Sequence, residues 1–368
     1  MEDIVLVTAD SVRRDHADAL EGLAPLGVET GVTGSHYTRP SLASLLSANY
    51  RGAITTEAVS PTIADVLSDA GYTCLGYTPT PNTDARFGFA SGFDEFETFV
   101  DPGNRGSKLR QYLGSIDALR WIYYKIYPPQ AKSENRPRDR EVIDRAIESF
   151  NAADSPRFLW VHLMETHRPY GVGDDALSKE LDQKAFFKPE KLTDEEVEEI
   201  EGKYRDAIRR ADDNVAHLLD SIDSDPLVAF TADHGEGFGE DGFYFHQAHE
   251  RSVADYITEV PVVFDGIDVE GPISLLDIPP TLVEAVNVDA PDIWHGTNLL
   301  EEASPSALTI APWHDTATVA WQDYETKVVA RDADVSLEAG GVRDEVERAD
   351  VDQELEEQLQ DLGYMDAG

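Results

Sequence analysis

Cysteine and long apolar runs are both scarce in this chain of 368 residues. Cys74 is the single cysteine, which excludes an internal disulfide and suits a reducing compartment. No apolar run approaches twenty residues, so the sequence predicts no transmembrane segment. The first residues have neither the basic region nor the apolar region of a signal peptide. From these features we expect a cytoplasmic protein.

Positive charge is also in short supply. Nine Lys and 21 Arg stand against 72 acidic residues, which gives a formal net charge of −42. A surface this acidic repels a phosphate backbone, so we expect no general binding of nucleic acid. The same balance is typical of proteins that work in concentrated salt, where screening weakens self-repulsion, and we hypothesise a halophilic source. The composition does not predict the oligomeric state.

Two short apolar segments each end in the tripeptide Thr-Ala-Asp. One predicted strand, residues 4–8, leads to Asp10, and another, residues 227–230, leads to Asp233 and His234. Ligands of open α/β sheets bind at the carboxyl edge of the strands. If the two strands are neighbours, two carboxylates meet there, and a cation would relieve their repulsion. The alternative is that each Asp caps a following helix.

Thr38 lies just ahead of a predicted helix. Pro40 suits a first helical turn, and the leucines that follow have the three-to-four spacing of a buried helical face. A helix start favours an anion through its free amide hydrogens and its dipole, and Arg39 adds positive charge. Thr38 is therefore a candidate nucleophile, although an N-terminal cap is the simpler role for its hydroxyl.

Strands and helices alternate through most of the chain, which predicts an α/β fold over residues 1–300 and a small α+β subdomain over residues 301–368. A further strand, residues 158–163, is followed by His167, so another imidazole reaches the same sheet edge. Asn82 follows a helix-to-strand unit at the expected loop position, and we expect it to bind substrate.

Residues 105–145 are basic in an otherwise acidic chain, and their apolar residues have helical spacing. One interpretation is an inserted lid that attracts an anionic substrate or touches anionic lipid headgroups. The other is an ordinary amphipathic helix whose Arg residues pair with local acids.

Taken together, these motifs resemble the sulfatase family of the alkaline phosphatase superfamily. Thr38 stands where the Cys of the family's Cys-x-Pro-Ser nucleophile motif would be. The resemblance implies an alkaline-phosphatase-like, mixed and mostly parallel sheet flanked by helices. The segments that carry the resemblance, in the family's order, are residues 10–16, 38–41, 88–94, 162–170, 231–236, His246, 260–261 and 277–281.

The resemblance also implies one divalent metal ion. Oxygen and imidazole ligands without thiolate suit Mn²⁺, Mg²⁺ or Ca²⁺. Ser11 stands where many sulfatases have another metal-binding Asp, which favours one ion over two. The implied ligands are Asp10, Thr38, Asp233 and His234.

A His of this family contacts the anion or the leaving group, which implies that role for His167. A Lys or His after the Asp-His-Gly-Glu motif does similar work, which implies His246, with His249 as the alternative. We expect Arg39 to assist at the same place.

The Thr at position 38 decides between two chemistries. Thr cannot be oxidised to the formylglycine that sulfatases use, whereas Thr nucleophiles occur in phosphodiesterase and transferase members of the superfamily. We therefore expect a metal-dependent hydrolase or transferase that cleaves a phosphate ester or phosphodiester of a small anionic substrate, such as a glycan or a lipid headgroup. The alternatives are a sulfuric ester hydrolase that works without formylglycine and a catalytically silent member that binds an anionic ligand.

Overall fold

Apolar strands buried on both faces form the centre of the protein. Three of them, β1 (Ile4–Ala9), β5 (Arg157–Leu163) and β6 (Leu227–Ala232), are buried along their whole length. Continuous apolar runs of this kind are typical of parallel strands that helices cover on both faces. The computed structural model describes residues 1–99, 136–247, 250–267, 269, 273–313, 316–323, 325–333, 338–339 and 342–343.

For each strand of the central sheet that the sequence predicts, the observed ends lie within two residues of the predicted ends. The α/β class predicted from the sequence is therefore confirmed. The other strands of this sheet are β2 (Glu29–Val32), β3 (Thr73–Tyr77), β4 (Glu95–Glu97), β7 (Glu259–Asp265) and β8 (Ile273–Ser274).

The eight strands lie in the order β4-β3-β5-β1-β6-β7-β2-β8. The five strands from β4 to β6 are parallel, whereas β7 runs antiparallel to both β6 and β2. The sheet is thus mixed and mostly parallel. Because β5, β1 and β6 are consecutive, the residues that follow them reach one short stretch of the sheet edge.

Helices cover the sheet. The helix that begins at Asp194 has a capping box, in which Thr193 and Glu196 exchange side-chain and backbone hydrogen bonds. Among the described helices, none combines the length and the hydrophobicity that crossing a bilayer requires. The helices are α1 (Thr38–Leu46), α2 (Tyr50–Thr55), α3 (Ile63–Asp69), α4 (Asp139–Ala152), α5 (Lys179–Phe187), α6 (Asp194–Ser221), α7 (Asp255–Thr258) and α8 (Ile278–Ala285).

A second, antiparallel sheet lies near the C-terminus, in the strand order β11-β10-β9. Thr309 joins it to the main body, because its hydroxyl donates to the Thr33 carbonyl oxygen at 2.7 Å. The small C-terminal sheet was predicted, and the division into domains at about residue 300 stays a prediction. The strands are β9 (Ala307–Trp313), β10 (Thr316–Gln322) and β11 (Lys327–Ala333). Residues 351–362, for which the sequence pattern predicts a C-terminal helix, lie outside the described residues.

Most of the basic segment, residues 105–135, lies outside the described residues, so its interpretation as a lid stays a prediction. Its last ten residues are described and contain the start of α4. There Arg138 pairs with Asp175 at 2.8 Å, and Arg145 pairs with Glu95 at 2.6 Å. These two arginines therefore pair with local acids.

Candidate functional site

Asp10 and Asp233 lie side by side at the carboxyl edge of the sheet. Ala9 is in register with Ala232 across β1 and β6, so the residue that follows each strand reaches the same level. Both side chains are fully buried. Oδ1 of Asp233 accepts hydrogen bonds from the backbone N–H groups of Ser11 and His234, both at 2.9 Å. The two carboxylates are therefore held together by the strand pairing.

Ser11 turns the chain sharply after β1. Its φ of 51° lies in the left-handed region, which is costly for a residue other than glycine. The turn aims its N–H at Asp233, while its own hydroxyl donates to the Thr166 carbonyl oxygen at 3.3 Å. The Ser11 side chain is thus engaged with the backbone.

Thr38 reaches the two carboxylates from α1. It is the first residue of this helix, whose N-terminal cap is Tyr37, so the predicted capping role of the Thr38 hydroxyl is wrong. Instead Oγ1 donates to Oδ2 of Asp10 at 3.0 Å and lies 3.3 Å from Nε2 of His234. Thr38, at the first position of α1, therefore directs its hydroxyl to Asp10 at the sheet edge.

His234 presents a lone pair to the same point. Its Nδ1 lies 2.8 Å from the Gly235 carbonyl oxygen, and since a carbonyl only accepts, Nδ1 carries the proton. Burial lowers the pKa of His234 well below its usual value, and the nearby His246 lowers it further. Neutral His234 therefore directs the unprotonated Nε2 toward Thr38.

The ionisation of the two carboxylates is split. Burial raises the pKa of Asp233, and the charge of Asp10 raises it further. Burial would also raise the pKa of Asp10, but the surrounding imidazoles, His167 foremost, lower it well below its usual range. Two adjacent buried carboxylates that resist being charged together are typical of a site built for a cation.

These four groups fit a divalent metal ion. Acceptor atoms of Asp10, Asp233, Thr38 and His234 face one another, and Asp233 Oδ2 accepts no hydrogen bond from any residue in the described ranges. Buried acceptors in excess of donors are costly unless a cation joins them. The oxygen and imidazole donor set suits Mn²⁺, Mg²⁺ or Ca²⁺. The fold thus brings together the four residues that the sequence nominates, and their role as metal ligands stays a prediction.

His167 and His246 lie next to this group, with their ring centroids 5.1 Å apart. Each can offer one nitrogen within 4.8 Å of a carboxylate oxygen of Asp10. Nδ1 of His246 is 3.1 Å from Oε1 of Glu236, and Tyr170 donates to the other oxygen of that carboxylate at 3.1 Å. The Glu236 carboxylate therefore orients the His246 ring.

The two imidazoles differ in protonation. Burial opposes the charged form of His246, but the Glu236 carboxylate outweighs it and raises the pKa of His246. Burial lowers the pKa of His167 to about 3, and its Nδ1 donates to the Arg168 carbonyl oxygen. His246 is therefore suited to donating a proton from Nε2, whereas His167 is neutral and resists protonation at Nε2.

Arg39 and Asn82 are buried polar side chains with free hydrogen-bonding atoms. The Arg39 guanidinium lies over the Phe87 ring, 4.2 Å from its centroid, and its Nε and Nη1 have no partner among the described residues. Asn82 lies in the short turn Pro81–Thr83, which packs against α1, and both polar atoms of its amide lack a partner there too. Groups buried in this state are suited to binding a polar ligand.

The motifs did not single out two members of the site. His162 lies within β5, and its Nε2 is 3.8 Å from Oδ2 of Asp10. Glu236 was noticed only as part of a motif. The available signal for His162 was a polar residue inside an otherwise apolar strand. His249, the predicted alternative to His246, lies outside the described residues.

Comparison with known proteins agrees with this architecture. The phosphonate monoester hydrolase of Agrobacterium radiobacter has a similar fold, with a TM-score of 0.64 and 16% identity over 90% of this chain and 88% of that one. A protein of the alkaline phosphatase superfamily from Vibrio parahaemolyticus has a TM-score of 0.58 and 17% identity over 98% of this chain and 85% of that one. The fold is therefore alkaline-phosphatase-like.

The sequence comparison is more specific. The model of the family named Sulfatase matches residues 2–288, and the chain belongs to that family. A curated relative, the low-salt glycan biosynthesis sulfotransferase Agl7 of Haloferax volcanii, is 27% identical over 154 residues. That match spans 37% of this chain and 36% of the relative, so the chain covers about a third of the relative's length.

Proposed function

We propose that this protein is a metal-dependent hydrolase or transferase that cleaves a phosphate ester or phosphodiester through a covalent Thr38 intermediate. The observation that carries the proposal is the position of the Thr38 hydroxyl, 3.0 Å from Asp10 and 3.3 Å from His234 instead of capping its own helix. Activated nucleophiles lie within hydrogen-bond reach of the groups that take or polarise their proton, and the fully buried Thr38 hydroxyl has such acceptor atoms around it.

Asp10, Asp233, His234 and Thr38 would hold the metal ion. When bound, a divalent cation there supplies Lewis-acid polarisation of the Thr38 O–H bond and of the substrate's anionic oxygens. We propose a single ion, which is Mn²⁺, Mg²⁺ or Ca²⁺.

The residues of the chain divide the remaining work. Thr38 Oγ1 gives its proton to Oδ2 of Asp10, which accepts its hydrogen bond, and forms a bond to phosphorus as the bond to the leaving oxygen breaks; the proton returns to Thr38 when its ester is released. His246, whose raised pKa favours the imidazolium, gives the proton at Nε2 to that leaving oxygen. Once it has lost that proton, His246 Nε2 takes one from the water or alcohol that then releases the Thr38 ester. Arg39 and Asn82, with free donor atoms, bind the anionic oxygens.

Phosphoryl transfer is favoured over sulfuryl transfer because of residue 38. Thr cannot become formylglycine, so a sulfated Thr38 would lack the elimination route that a hydrated aldehyde provides. The phosphonate monoester hydrolase with a similar fold is consistent with this choice.

Sulfuryl transfer is the second candidate, because the curated relative is named a sulfotransferase. That name also suggests a glycan as the substrate of this chain. A lipid headgroup is the other substrate that we propose. A catalytically silent member that only binds an anionic ligand is the third possibility.

The test is an assay of the purified full chain in high salt with Mn²⁺, on an aryl phosphodiester and on an aryl sulfate in parallel. We expect turnover of the phosphodiester, a loss of about 10³-fold or more in kcat/KM for Thr38→Ala, and retention of most activity in the control Thr38→Ser. Accurate mass of the Thr38 peptide from quenched reactions identifies the trapped group. Turnover of the sulfate alone supports the second candidate, and turnover of neither substrate class supports the third. Undiminished activity in Thr38→Ala would overturn the nucleophile.

A further inference from the structure

His162 lies within the sheet, directly beside Asp10. Its side chain is fully buried on β5, and the strand register places it opposite Thr8 of β1. Its Nε2 is 3.8 Å from Oδ2 of Asp10, and its Nδ1 is 2.9 Å from Oγ1 of Thr8. An imidazole in this position is either a further metal ligand or a group that orients Asp10. The two roles require opposite tautomers, because a nitrogen that carries a proton cannot bind a metal.

The hydrogen bonds of Thr8 distinguish the two tautomers. The indole N–H of Trp160 can only donate, and it donates to Oγ1 of Thr8 at 3.1 Å. The Thr8 proton then has two possible acceptors, Nδ1 of His162 at 2.9 Å and the Val161 carbonyl oxygen at 3.5 Å. The shorter contact is the stronger hydrogen bond. If the Thr8 proton follows the longer contact, Nδ1 of His162 is a second donor to Thr8; if it follows the shorter one, Nδ1 is an acceptor and the ring proton lies on Nε2.

The charge of Asp10 favours the same tautomer. An N–H on Nε2 attracts the carboxylate that it faces, whereas a lone pair would repel it. Both side chains are fully buried, so water does not weaken this preference. Oδ2 of Asp10 is also the oxygen to which Thr38 donates, so His162 acts on the atom that faces the nucleophile.

We propose that His162 is a positioning residue for the metal site. The groups Trp160, Thr8, His162 and Asp10 form a relay: Trp160 donates to Thr8, Thr8 donates to Nδ1 of His162, and Nε2 of His162 faces the Asp10 carboxylate at 3.8 Å, beyond hydrogen-bond distance. At this distance His162 acts on Asp10 electrostatically, and it orients the carboxylate and stabilises its negative charge. This inference rests on the proposed function, because it takes Asp10 as a metal ligand. Outer partners of metal ligands typically change metal affinity by about 10–100-fold when they are removed.

The first test measures metal affinity without turnover. Mn²⁺ is titrated into the metal-free full chain by calorimetry in high salt, for the wild type, His162→Leu and His162→Gln. Leu removes the donor and is expected to raise the Kd by about 10–100-fold. Gln places an amide N–H near the position of Nε2 and is expected to recover most of the affinity. An unchanged Kd in His162→Leu, or an equal loss in both variants, overturns the proposal.

The second test observes the tautomer itself. In metal-free protein labelled with ¹⁵N at histidine, the ring signal that disappears in His162→Gln belongs to His162. We expect its proton on Nε2, and a proton on Nδ1 would overturn the relay. This readout separates an orienting donor from a residue that merely fills space.

A pair of threonine variants supplies the matched control. Thr8→Val removes the donor to Nδ1 of His162, so the ring is held less firmly and Mn²⁺ binding is expected to weaken, while the charge of Asp10 keeps the ring proton on Nε2. Thr231 is equally buried and is in register with Thr8 on the other side, but its hydroxyl donates to the Ala232 carbonyl oxygen. Thr231→Val should leave the tautomer and the Kd unchanged. An equal effect of both variants would count against the relay.

The failure of this inference can be told apart from the failure of the proposed function. If Thr38→Ala turns over like the wild type while His162→Leu still loses Mn²⁺ affinity, the nucleophile is wrong and the relay stands. If Thr38→Ala is inactive while His162→Leu binds Mn²⁺ normally, the relay is wrong and the nucleophile stands.

Discussion

At the scale of single residues, the site contains buried polar atoms that no group among the described residues satisfies. Asp233 Oδ2 and the amide of Asn82 have no hydrogen-bond partner among the described residues, although both side chains are fully buried. Such groups cost free energy in the folded state unless a ligand satisfies them. At Asp233, beside a second buried carboxylate, a bound cation would remove this cost.

Asp139 fixes the loop that carries His167. Its two carboxylate oxygens accept from the N–H groups of Met164 at 2.8 Å and Glu165 at 2.9 Å, and Glu165 accepts from the Asp139 N–H at 3.0 Å. This reciprocal pairing ties the first residue of α4 to the loop that carries His167. Burial and the neighbouring Glu165 charge raise the pKa of Asp139 to about 7.

The raised pKa of Asp139 predicts a pH-dependent stability. From about pH 4 to pH 7 the native state retains a proton that the unfolded state, in which the carboxyl has its ordinary pKa of 3.8, has released. The native state then binds more protons, so this contribution to the free energy of unfolding decreases as pH rises through the window. Asp139→Asn should flatten that decrease relative to the wild type. Urea unfolding at constant ionic strength between about pH 5 and pH 7.5 measures the two slopes.

Asp65 provides the control for that measurement. It completes the capping box of α3, and its pKa is lowered, because its hydrogen bonds outweigh the effect of burial. Its titration therefore ends below the window. Asp65→Asn should lower stability without altering the slope between pH 5 and pH 7, and an identical slope in wild type and Asp139→Asn would refute the assignment.

At the scale of elements, the position of α1 depends on close packing against α2. Gly52 of α2 lies so near that a Cβ there would be 2.6 Å from the carbonyl carbon and oxygen of Ala43 in α1. Backbone atoms cannot move aside as a flexible side chain can. The start of α1 carries Thr38, so this contact helps to set the position of the proposed nucleophile.

Gly52→Ala should destabilise the protein by about 1–3 kcal/mol through overpacking. Gly202, within α6, is the matched control, because a Cβ there would meet no atom within 4 Å. Gly202→Ala should raise stability by about 0.5–1 kcal/mol through its better helix propensity. The free energies of unfolding in urea test both expectations, and equal effects of the two substitutions would contradict the packing argument.

At the scale of the whole molecule, the formal net charge of −42 dominates the electrostatics. Like charges repel in the folded chain, and the repulsion weakens as the Debye length decreases from about 10 Å at 0.1 M salt to about 3 Å at 1 M. We therefore predict that the free energy of unfolding in urea rises steadily as KCl is raised from 0.1 M to 2 M. Sucrose of equal osmolality, which does not screen charge, should reproduce only a small part of the increase. A salt-independent stability would refute the prediction.

The sequence by itself determined the strands and the residues that follow them. Apolar runs as short as Leu227–Phe230 could be recognised because a buried parallel strand needs a continuous apolar stretch that ends at polar residues. The motifs at these ends, together with the helix start at Thr38, were enough to nominate Asp10, Asp233 and His234. The sequence could not decide whether Thr38 is a nucleophile or a helix cap, because both roles use the same residue type at the same helix end.

Only the tertiary structure decided which groups meet. The order β5-β1-β6 joins segments that are more than 200 residues apart in the chain, and spacing along a sequence carries no record of that order. The same holds for His162, whose role depends on which group faces each of its ring nitrogens. It also holds for Glu236, whose role depends on its contact with the His246 ring. A side chain's protonation and tautomer are set by its neighbours in space, and those neighbours exist only once the sheet has formed.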